Sequence, residues 1–76
     1  MIANYLVQVR QIGEPWKTLV GYASENEALA RADAAASEQS GLEHDGRTFP
    51  RHAFVRVALR GRVICETRGR MMPVAS

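Results

Sequence analysis

The side chains here with reactive or ligating chemistry are few: His44, His52, Cys65 and a crowd of arginines. His44-Asp45 and His52 bring donor types that a zinc ion accepts. Their eight-residue separation across Gly46 and Pro50 matches no established ligand spacing, so no metal site is expected. Cys65 falls at a core-facing position of an alternating run, where a thiol acts as a small hydrophobe. Arg62 and Arg68 flank it, but nothing near it in sequence marks it as a nucleophile. The sequence holds no Gly-rich phosphate loop, no Ser–His–Asp arrangement and no paired carboxylates at a strand end. No catalytic residue, cofactor or small-molecule substrate is expected, and the chain reads as a non-enzyme.

The arginines are the more informative group. They make up nine of the ten basic residues, and the net charge of +2 conceals their uneven placement. Residues 1–45 hold three basic side chains against seven acidic ones; residues 46–76 hold seven arginines against Glu66 alone. Arginine forms forked bonds to carboxylate and phosphate and stacks on aromatic rings better than lysine does. Codon bias accounts for their number equally well, so their positions must carry any functional argument.

Those positions follow from the elements. Tyr5, Val7 and Val9 alternate with Gln8 and Arg10, the period of a strand. Gly13-Glu14-Pro15 marks a turn, and Trp16–Tyr22 reads as the second strand of a hairpin. Ser24 with Glu27 forms a capping-box pattern. The helix it opens is expected over about 25–39, with Gly41 as its left-handed stop. Its apolar stripe is Ala28, Leu29, Ala32, Ala35 and Ala36. Residues 41–52 read as a polar loop with an Asp45-Gly46 turn. Val55, Val57 and Leu59 then alternate with Phe54, Arg56, Ala58 and Arg60. A three-residue turn at Arg60-Gly61-Arg62 pairs Leu59 with Val63, Val57 with Cys65, Val55 with Thr67 and Arg56 with Glu66. The expected fold is α+β, in the order ββαββ: a four-stranded sheet, antiparallel or mixed as in a β-grasp, with one helix on one face. A single domain over 1–76 is expected, ordered from about 4 to 68, with 69–76 a frayed tail.

One helix covers one face of such a sheet. The expected core face is Tyr5, Val7, Val9, Val55, Val57, Leu59, Val63 and Cys65. The uncovered face then carries Leu6, Gln8, Arg10, Phe54, Arg56, Ala58, Ile64, Glu66 and Arg68. Hydrophobes interleaved with arginines match the composition of protein interfaces, although scattered surface hydrophobes are also ordinary. The expected partner-binding residues are Arg10, Phe54, Arg56, Arg60, Arg62, Ile64 and Arg68. The partner is expected to be another protein or a second copy. A core of 76 residues is small and gains from such burial, and the lone cysteine offers no internal disulfide. Nucleic acid is the alternative. Arg56, Arg60, Arg62, Arg68 and Arg70 cluster near Phe54, but the acidic helix repels phosphate. The absence of a signal-like or membrane-length apolar run and the cysteine usage suggest a cytoplasmic protein.

Trp16–Tyr22, then Ser24-x-x-Glu27-Ala28, then Phe54-Val-Arg-Val with Gly61-Arg-Val-Ile resembles small phage- and prophage-borne ββαββ proteins, anti-CRISPR inhibitors among them. The resemblance covers about residues 5–68 and is one of plan, without a diagnostic motif. It implies a non-catalytic inhibitor that masks a surface of its target. The basic second half departs from the acidic mimics of DNA in that group. The β-grasp fold shares the element order and ubiquitin the length, but Pro73-Val-Ala-Ser76 lacks a diglycine tail.

Overall fold

The computed structural model describes residues 3–74. The chain forms β1 (Tyr5–Arg10), β2 (Lys17–Tyr22), α1 (Glu25–Ser37), β3 (Gln39–His44), β4 (Arg47–Pro50), β5 (Phe54–Leu59), β6 (Arg62–Arg68) and β7 (Met72–Pro73). Two antiparallel sheets result, one ordered β2-β1-β5-β6 and the other β3-β4-β7. The α+β class and the four expected strands stand. The plain ββαββ plan with a single sheet does not describe the chain, because a hairpin lies between the helix and β5. The mixed, β-grasp-like alternative is also corrected, since β1 runs antiparallel to β5.

The core lies between α1 and one face of the larger sheet. Val7, Val55 and Val57 are fully buried there against Ala28, Ala32, Ala35 and Ala36, with Leu29 packed at the margin. Alanine lets the helix lie close to the strands but contributes little area. Each buried valine contributes roughly 1.5 kcal/mol or more.

The helix is shorter than its pattern suggests. Its N-cap residue Ser24 makes no side-chain cap bond, so the capping box does not form. Its carboxyl end is not closed by a left-handed glycine either. Glu38 is extended, and the chain passes directly into β3, where Gly41 has φ +86°. The last carbonyls are satisfied from elsewhere: Glu38 N–H donates to Ala35 O, and Arg70 N–H donates to Ala36 O at 2.9 Å.

The segment expected as a loop is a hairpin because Asp45-Gly46 takes positive φ at both residues, the geometry of a two-residue hairpin turn. The tail likewise makes defined contacts. Met72–Pro73 pairs with β4, and Gln39 Nε2 donates to Arg70 O at 2.9 Å. Of the expected frayed segment, residues 75 and 76 lie outside the described residues. The helix and the larger sheet pack mainly on each other, while β3, β4 and β7 pack mainly among themselves. The molecule is accordingly long, 45 × 25 × 16 Å, and the smaller sheet projects as an arm.

Candidate functional site

The β5–β6 turn decides which side chains share the uncovered face. Arg60 and Gly61 have φ +50° and +82°, so they alone form the turn, and Leu59 pairs with Arg62. A turn one residue shorter than expected inverts the facing of the residues that follow it. A bulge at Ile64 inverts it back, because Ala58 pairs with Val63 and Val57 with Cys65. The expected pairs Val57–Cys65, Arg56–Glu66 and Val55–Thr67 therefore hold, whereas Leu59–Val63 does not. Ile64 is corrected with them: it packs against the core, and Val63, 43% exposed, takes its place on the uncovered face.

That face has three bands. Leu6, Ala58 and Val63 form an apolar band at the Arg60-Gly61 end. Gln8, Arg56 and Glu66 cross the middle. Arg10, Phe54 and Arg68 lie at the far end. Of the residues expected to meet a partner, Arg10, Phe54, Arg56 and Arg68 come together. Arg60 and Arg62 sit at the turn beside the opposite end.

Trp16 joins the far band and reorganises it. The Arg56 guanidinium carbon lies 4.1 Å from the Trp16 ring centroid, and that of Arg10 lies 5.3 Å away. Arg10 is also 4.8 Å from the centroid of Phe54. Phe54, Arg10, Trp16 and Arg56 thus form a continuous stack of alternating rings and cations. Arg56 Nε donates to Gln8 Oε1 at 2.8 Å, which fixes the fork in place. It does not bond to Glu66, although the two are in register. Trp16 is not among the expected contact residues because the sequence leaves open the register of the Trp16–Tyr22 strand and so the face it joins, and in the structure it lies just before β2; its proximity to Arg10 across a hairpin turn is the signal that points to it.

Ion pairing occurs elsewhere. Among the described residues the ion pairs are Arg31–Glu38, His52–Glu38, Arg70–Asp33 and His44–Asp45. Arg10, Arg56, Arg60, Arg62 and Arg68 have no carboxylate partner there. The two histidines go to separate places, His44 at the tip of the arm and His52 beside the helix end. Among the described residues no three His, Cys, Asp or Glu side chains are grouped to hold a metal. Nor is any helix long and apolar enough to cross a membrane.

Both edges of the larger sheet are interrupted. Leu19 in β2 is an extra residue between Thr18 and Val20, as Ile64 is in β6. Bulges and charges on edge strands hinder pairing with another strand. Comparison with family models, curated proteins and solved structures finds no match to this chain.

Proposed function

We propose that the protein is a non-catalytic binding module that engages a protein partner through the uncovered face of its larger sheet. The observation that carries this reading is the Phe54–Arg10–Trp16–Arg56 stack. A guanidinium lying over a ring keeps its in-plane N–H donors free for carboxylates and carbonyls. Holding it there before binding removes much of the entropy loss that ordering a long side chain entails. Tryptophan and arginine are also the residues on which binding energy most often concentrates. Leu6, part-buried, and Val63, exposed, supply apolar surface beside these donors, around an Ala58 that is already buried.

The same stack weighs against nucleic acid. Single-stranded nucleic acid binds by stacking bases on open ring faces, and here arginines already lie over Trp16 and Phe54. A protein-masking inhibitor, as the resemblance in plan implies, would use the face in the way proposed.

The test is affinity capture from nuclease-treated extract with wild type and with the paired change Trp16→Ala/Arg56→Ala. Capture of a protein, or of a second tagged copy, by wild type alone is the expected result. Capture of nucleic acid in place of protein favours the alternative. Capture of neither, by a folded monomer, overturns the reading.

A further inference from the structure

Two clefts adjoin at the end of the larger sheet where β1 runs out toward the arm. The first, about 220 Å³, is lined by Arg10, Lys17 and Arg51, with Glu14 its one carboxylate. The second, about 430 Å³, is lined by Ile12, Leu42, Phe49, Pro50 and Ala53. Gln11 and Arg51 line both, so the two are parts of one groove. The Gln11 side-chain amide bonds to the Arg51 carbonyl and so ties the shared wall together.

The groove has a charge character and an apolar character in fixed order. The Arg10 guanidinium is held in the stack with Trp16 and Phe54, so the cations facing the first part are Lys17 and Arg51, and against Glu14 they favour an anion there. In the second part Ile12 is 83% exposed and Leu42 68%, and both line the cleft with Phe49, Pro50 and Ala53. Apolar side chains that exposed are unfavourable to leave in water when they flank a concave surface. The apolar cleft lies within the range that accommodates ligands, and the cationic one is smaller than that range. The combination suits a chain segment that carries a carboxylate next to a large apolar side chain better than it suits a free anion or a lipid.

We propose that this groove binds an extended acidic–hydrophobic peptide segment of a protein partner, with the acidic side chain toward Lys17 and Arg51 and the apolar one between Ile12 and Leu42. The proposal rests on the protein-binding reading above and adds to it the kind of segment recognised. It uses side chains that the stack does not.

Selection of randomised octapeptides on immobilised protein tests it. Enrichment of sequences with Asp or Glu beside Leu, Ile or Phe is expected. Their affinity should fall about tenfold or more for Ile12→Asp and for Arg51→Glu. Both residues are exposed, so these variants should fold, and circular dichroism checks that they do. Trp16→Ala/Arg56→Ala should leave the selected peptides bound, which separates failure of the groove from failure of the sheet face. Enrichment of basic or uncharged sequences, no enrichment, or undiminished binding by both groove variants would overturn the proposal.

Discussion

The Arg56 guanidinium lies 4.1 Å from the centroid of the Trp16 ring, close enough for the cation to sit against its π face. Trp16 is the single tryptophan of the chain, so its fluorescence reports on that contact. Substituting Arg56→Ala should shift the emission and raise solvent quenching by acrylamide. Substituting Glu66→Ala should do neither, because Glu66 is not bonded to Arg56. Equal responses of the two variants would mean that the stack does not persist in solution.

Trp16→Ala removes the ring from between two arginines. A cation–π contact is worth about 0.5–1 kcal/mol at exposed sites and more where water is excluded. A loss of roughly 1–2 kcal/mol in urea unfolding is expected. A loss below about 0.5 kcal/mol would show the stack to be energetically idle.

Gly69 lies against the chain at Pro50 and His52. A Cβ built on it would come within 2.5 Å of Pro50 Cβ and would collide with the His52 carbonyl. Gly69→Ala should therefore destabilise by about 2 kcal/mol or more through forced displacement of backbone. Gly41 provides the control. It has φ +86° but open space around it, so Gly41→Ala should cost only about 1 kcal/mol. Thermal melts of the two variants, compared at equal concentration, check the order.

Arg70 serves the helix twice. Its backbone N–H caps Ala36 O, and its guanidinium bonds Asp33 at 2.6 Å and Ser37 at 3.3 Å. The ion pair is about half exposed, so Arg70→Ala should cost only about 0.2–1 kcal/mol and less in high salt. Arg70→Pro also deletes the N–H and should cost more at every salt concentration. Urea titrations in low and in high salt distinguish the two contributions.

Ala32 is 2% exposed under the sheet, at the centre of the helix stripe. Ala32→Leu forces the helix outward and should cost about 1–3 kcal/mol. Val57→Ala, which leaves a hole in the same layer, should cost a similar amount. If the larger residue stabilised the protein, the close helix–sheet contact would be absent in solution.

The larger sheet was legible because its strands alternate cleanly and its helix carries one apolar stripe. Two kinds of feature were not. The β3–β4 hairpin has almost no apolar alternation, since neither of its faces is buried by a core; only Asp45-Gly46 marked it. The exchange of Val63 and Ile64 between faces depends on a turn one residue shorter than expected and a bulge that compensates for it. Periodicity cannot separate that from a longer turn, because both return Cys65 to the core. The arginines were found by composition, but their use was decided by Trp16, which lies outside the alternating run.

The arm contributes little to the main core, and this sets how the molecule opens. Segments with few buried contacts open locally at a lower free energy than the strands they adjoin. Amide hydrogens of β3, β4 and β7 should then exchange with solvent well before those of β1 and β5. Ile12 follows one body and Leu42 belongs to the other. A segment held between them would make the two open together, and occupancy of the groove would register as slowed exchange along the whole arm, well beyond the residues it touches.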